Sequence, residues 1–117
     1  MEPFQQDSTI IITIKSKSML IADFMSAFAR IIIEEIPDER FSSRDFIWKM
    51  TRNYEHEYIQ LLNENASTDH PIKSVHQQIG KYLADHSNEL RISATNEKEA
   101  SLTPFGTDSQ TEIWRKI

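Results

Sequence analysis

The segment Pro71 to Ile92, PIKSVHQQIGKYLADHSNELRI, constrains this chain more than any other. Its apolar residues Ile72, Val75, Ile79, Tyr82 and Leu83 recur at helical spacing, so they share one side of a helix. Lys73, Ser74, Gln77, Gln78 and Lys81 lie on or near the other side. These are side chains that bond bases and phosphates. Pro71 suits the first helical position, where a missing N–H costs nothing. Asp69 or His70 stands where a cap is expected. The residues after the helix read as a two-stranded ribbon.

The rest of the chain reads around that helix. Thr9 to Lys15, TIIITIK, is β-branched and predicts a strand, with both faces covered because the isoleucines do not alternate. Met19 to Ile36 predicts a helix that is apolar nearly all round, through Leu20, Phe24, Ala27, Phe28, Ile31, Ile32 and Ile33. Pro37 and Asp38 end it. Ser42 and Asp45 have the spacing of a capping box, with Phe41 and Phe46 placed as a hydrophobic staple. The helix they start carries Phe46, Met50, Tyr54, Tyr58 and Leu61 on one stripe, as far as about Asn63. That is long for a small domain, and no proline or glycine marks a break. Asn63 to His70 is a polar loop. Beyond the third helix, Arg91 to Ser93 predicts a short strand, Thr95 to Ser101 a turn, and Leu102 to Phe105 a return strand. Gly106 to Ser109 is a turn and Thr111 to Ile117 a final strand.

A chain of 117 residues is one domain with one core, so a single unit over 1–117 is expected. It has no cysteine, which excludes disulfides and thiolate metal sites and fits a reducing compartment. No stretch reaches the roughly 18 apolar residues of a membrane span, and no secretory signal is visible. The expected location is the cytoplasm, or the nucleus in a eukaryote. The net charge of -5 is uneven: residues 34–70 carry nine acids against four bases, whereas residues 71–92 carry three bases against two acids. A strong nonspecific grip on nucleic acid is therefore not expected, but one local surface can still bind.

Helix, helix, helix and then a ribbon is the order of a winged helix. In detail the chain resembles winged-helix domains found beside restriction endonucleases and in some chromatin proteins. The matching pieces are Phe41-Ser42-Ser43-Arg44-Asp45-Phe46, Ser74-Val75-His76-Gln77-Gln78-Ile79 and Glu112-Ile113-Trp114-Arg115-Lys116. The pattern spans about residues 19–117 and departs from the family in its long second helix and acidic middle. The resemblance implies a mainly helical α+β fold: a winged-helix-like three-helix core with a C-terminal β-ribbon, here joined by an N-terminal strand. It also implies DNA binding through the third helix, with a role in transcription regulation.

On that reading Lys73, Ser74, Gln77, Gln78 and Lys81 face DNA, joined by Arg115 and Lys116 from the last strand. A solvated face of an amphipathic helix looks the same. Lys98 sits at the expected wing, but Glu97 and Glu99 flank it and repel phosphate. A second candidate surface is Arg52, Tyr54, Glu55, Glu57 and Tyr58, since tyrosine and arginine anchor protein interfaces. The alternative there is tyrosines turned inward on an ordinary helix. His56, His70, His76 and His86 lack the i, i+4 spacing of a helical metal site, so no metal or other cofactor is expected. The motifs of nucleophilic or phosphate chemistry are missing, and a non-enzymatic binding protein is expected.

Two functions follow. The first is a DNA-binding regulator, acting as a homodimer because TIIITIK and the all-apolar first helix exceed what so small a core can cover. The second is an acidic protein-interaction module, an inhibitor or adaptor whose working surface is the segment 34–70. An acidic protein of this kind can occupy a basic nucleic-acid site on a partner by complementary charge, as a phage antagonist of a host protein would.

Overall fold

The computed structural model describes residues 20–102 and 108–117. Among the described residues, five helices and three strands follow in the order α1 (Ile21–Glu35), β1 (Arg40–Ser42), α2 (Ser43–Asn53), α3 (Glu55–Glu64), α4 (Pro71–Asp85), α5 (Ser87–Leu90), β2 (Ile92–Leu102) and β3 (Asp108–Lys116). The protein is a mainly helical α+β domain. Its antiparallel sheet has the strand order β1-β3-β2. The strand expected at Thr9 to Lys15 lies outside the described residues, as do Phe105 and Gly106.

α1 differs from the expected all-apolar rod. It buries Ile21, Phe24, Met25, Ala29, Ile32 and Ile33 on one face. Asp23, Ser26, Arg30, Glu34 and Glu35 face water with Ile31. The apolar surplus that argued for a dimer is reduced to Leu20 and Ile31 on this element. Lys116 donates from Nζ to the Ile36 carbonyl, placing a cation where the helix dipole is negative.

α2 starts as the capping box requires. The Asp45 N–H donates to Ser42 Oγ at 3.0 Å, and the Ser42 N–H donates to Asp45 Oδ2 at 2.9 Å. Phe41 and Phe46, at the staple positions, are both buried. The expected single helix to Asn63 is broken at Tyr54, whose φ of -132° and ψ of 51° leave the helical region. Its ring lies 4.9 Å from Phe28 and 5.9 Å from Phe24, centroid to centroid. Burying that ring against α1 compensates for the lost helical geometry, and the chain loses few bonds. Tyr54 N–H still reaches the Met50 carbonyl, and Tyr58 N–H reaches that of Tyr54.

α4 packs Val75, Ile79 and Leu83 into the core, with Ile72 and Tyr82 half-buried at its edge. Pro71 is its first residue, but neither Asp69 nor His70 caps it with a side chain. Arg91, in the left-handed region at φ 59°, ends α5 and turns the chain into β2.

The ribbon corrects the sequence reading most. β2 runs unbroken in direction from Ile92 to Leu102, through the segment expected to turn. It pairs with β3 as Ile92 with Lys116, Ser93 with Arg115 and Ala94 with Trp114, then as Lys98 with Glu112 onward. Between those registers Thr95, Asn96 and Glu97 face Ile113 alone, so β2 bulges there. Asn96 takes the left-handed conformation, φ 66°, which asparagine tolerates. Thr95 Oγ1 donates to the Ile113 carbonyl at 2.9 Å and holds the bulge. β1 pairs only with Ser42–Ile113 to Arg40–Arg115, so the ribbon beyond the bulge is two strands wide.

Trp114 is buried on β3, opposite Phe41 and Ala94, as its surface demands. Its indole Nε1–H donates to Ser43 Oγ at 2.9 Å, joining sheet to helix.

Candidate functional site

The buried face of α4 dictates what its opposite face presents. Lys73, Gln77 and Lys81 are exposed and four residues apart, so they form one row over about two turns. Lys73 and Gln77 have no side-chain partner among the described residues. Lys81 donates to Asp85 Oδ2 at 2.9 Å, an exposed pair that holds its charge only weakly. Ser74 and Gln78 face the α3–α4 connection instead. Gln78 Nε2 donates to Asn65 Oδ1 at 3.0 Å and to Ser74 Oγ at 3.1 Å. Asn65 in turn donates to the Leu61 carbonyl at 2.8 Å, closing the end of α3. This network ties the first turns of α4 to the end of α3 through side chains and leaves α4 without a side-chain cap.

The sheet contributes less free charge than expected. Arg115 is exposed and lies opposite Arg40 on β1. Arg40 is paired with Glu97 across the sheet. Lys116 is half-buried and committed to the Ile36 carbonyl, so its cation is tied to α1. Lys98 lies opposite Glu112 on the ribbon, between Glu97 and Glu99.

The second candidate surface divides. Arg52 and Glu55 are exposed and Glu57 is half-buried, but Tyr54 and Tyr58 turn inward. Tyr54 joins the α1 aromatics, and burial raises its pKa, helped by the carboxylates of Glu35 and Glu57. Tyr58 bonds to His76 Nε2 through its hydroxyl at 2.8 Å. Burial raises the Tyr58 pKa, while the Arg44 guanidinium pulls it back. The same burial, reinforced by Arg44, lowers His76 to about 4. His76 is therefore neutral near pH 7. His86 stacks on Tyr82, with ring centroids 3.8 Å apart. Among the described residues no three His, Asp or Glu side chains gather to hold a metal, and no helix is long and apolar enough to cross a membrane.

The residue that sequence reasoning missed is Trp48. It stands half exposed on α2, beside α4. Its place in the helical period, two residues beyond buried Phe46, is the signal that it points away from the core. Comparison of the chain with protein-family models, with curated proteins and with solved structures gave no match.

Proposed function

We propose that this protein is a winged-helix-type DNA-binding regulator that lays the exposed row of α4 in a major groove. The observation that carries the reading is that row: Lys73, Gln77 and Lys81 all face solvent on a helix whose other face is locked into the core. The element order supports it. A strand between the first two helices pairs with the last strand, and the last two strands form a ribbon beside the helices. Glutamine reads adenine through two bonds, and lysine anchors on guanine or phosphate. Arg115 serves as a flanking phosphate contact. A homodimer, with Leu20 and Ile31 in the contact, places two such rows on a two-fold site.

The test is a mobility-shift assay over random duplex DNA at about 50 mM salt, where phosphate contacts are strongest. Retention is expected, with Lys73→Ala flattening the salt slope by about one unit and Gln77→Ala reducing discrimination between sites. Absence of any shift at that salt refutes the reading.

A specific observation favours the second reading, an acidic protein-interaction module. Beyond its bulge the ribbon presents Glu99 and Glu112 beside Lys98, with Glu97 in the bulge paired to Arg40, which suits a basic protein better than a phosphate backbone. Capture of a basic partner that ribbon carboxylate-to-amide variants abolish, with no retention on DNA, selects it.

A further inference from the structure

α2, α3 and α4 meet around a pocket of about 200 Å³. Ile47 and Trp48 line it from α2, Tyr58 from α3, and Ile72 and His76 from α4. Thr51 on α2 adds a hydroxyl, which donates to the Trp48 carbonyl at 2.9 Å, and the walls are otherwise aliphatic or aromatic. The two polar groups that α3 and α4 bring are occupied by one another, because the Tyr58 hydroxyl and His76 Nε2 share a hydrogen bond of 2.8 Å.

Arg44 is different. It lines the same pocket from the first turn of α2. Its backbone N–H is satisfied by Thr111 Oγ1 at 3.1 Å. Its side-chain Nη1 is buried and has no hydrogen-bond partner among the described residues. No carboxylate pairs with this guanidinium among the described residues, although the chain carries 18 acids. A guanidinium does not lose its charge on burial. A buried N–H left unpaired is destabilising, more so when it carries charge. The Arg44 charge therefore stands at the wall of an apolar pocket without a counterion among the described residues, which favours an anion there.

We propose that this pocket binds a small organic carboxylate with an aromatic or branched apolar body, its carboxylate on Arg44 and its body against Ile47, Ile72 and Trp48. Charge complementarity sets the anionic end, since a carboxylate accepts from a guanidinium fork in two parallel bonds. The apolar walls set the other end. The size sets the scale, because pockets for drug-sized ligands run to about 300–1,000 Å³. Ile72 and His76 sit within one turn of Lys73 and Gln77 on α4, so an occupant also bears on the helix assigned to DNA. Binding to the pocket does not depend on that assignment.

The probe is phenylacetate, with phenylacetamide as its neutral counterpart and inorganic phosphate as an anion without a body. The readouts are the NMR signals of the Trp48 indole and the His76 ring, with the Trp114 indole as an internal reference. Phenylacetate is expected to shift the first two saturably and leave Trp114 unmoved. Phenylacetamide and phosphate are expected to bind at least about tenfold more weakly, the difference of about 1.4 kcal/mol that losing a charge-assisted bond readily supplies. Arg44→Met keeps the stem and removes the charge. It is expected to abolish the phenylacetate shifts while holding or raising the melting temperature, which a merely structural arginine would lower. Equal binding of acid and amide, equal binding of phosphate, or no saturable shift with the acid overturns the proposal on the unaltered protein alone. A peptide ending in a free phenylalanine carboxylate that binds about tenfold more tightly than phenylacetate overturns it in favour of a peptide partner.

Discussion

Lowering the pH should test the α3–α4 contact through one ring. In the fold, burial and Arg44 hold His76 at about 4, against 6.5 in an unfolded chain. Above pH 6.5 the ring is neutral in both states, and its contribution to stability is fully present. As the pH falls from 6.5 toward 4, the unfolded chain takes up a proton that the fold refuses, so stability drops. Below about 4 both states are protonated, and this group adds no further loss. One pH unit is worth about 1.4 kcal/mol, so a fully buried ring would lose about 2 kcal/mol at pH 5. His76 is only part-buried, and solvent screening reduces the figure to about 1 kcal/mol. The assay is urea unfolding at pH 7 and pH 5, for the native chain and for His76→Gln. Carboxylates titrate alike in both chains, so the difference of differences isolates the ring. The native chain should lose about 1 kcal/mol more than the variant, a midpoint change of about 0.5–1 M at ordinary urea slopes. Parallel losses in the two chains would refute the reasoning.

Other outcomes follow from the same packing. Trp114→Ala should cost about 3–5 kcal/mol, while Trp114→Phe keeps most of the burial and should lose about 1 kcal/mol with the Ser43 bond; an unchanged melting temperature in the alanine variant contradicts both. Ser42→Ala opens the capping box and should cost about 1–2 kcal/mol, read as a lower urea midpoint with the slope unchanged. Light scattering at high micromolar concentration should return the mass of a dimer, and a clean monomer removes that part of the functional proposal.

Much of this fold was legible in short-range pattern. Ile72, Val75, Ile79 and Leu83 marked the core side of α4, and Ser42 with Asp45 marked the start of α2, because both signals act within one or two turns. Trp114 was recognisable as core from its size. The break at Tyr54 was not, since its cause is a contact with Phe24 and Phe28 some 30 residues away. The ribbon was hidden for the opposite reason. Beyond Thr95 the described side chains of β2 face solvent, so no apolar alternation announces a strand, and Asn, Glu and Lys read as a turn. The Lys73, Gln77 and Lys81 row was visible from its spacing. The Arg44 pocket was not, because its lining residues come from three helices.

The bulge at Thr95 to Glu97 divides the ribbon into two regimes. On its near side the strands are anchored by Phe41, Ile92 and Trp114 in the core. On its far side Lys98, Glu99 and Ala100 of β2 are exposed. Amide exchange should therefore fall into two classes along a single hairpin, slow before Ala94 and close to local-opening rates after Lys98. Change in the exposed β2 residues of the outer class leaves the core untouched, so they can exchange their charges without endangering folding, while Thr111 on β3 stays buried and tied to the Arg44 N–H. In evolutionary terms the helices are a chassis, and the outer ribbon is the part on which selection can act most freely.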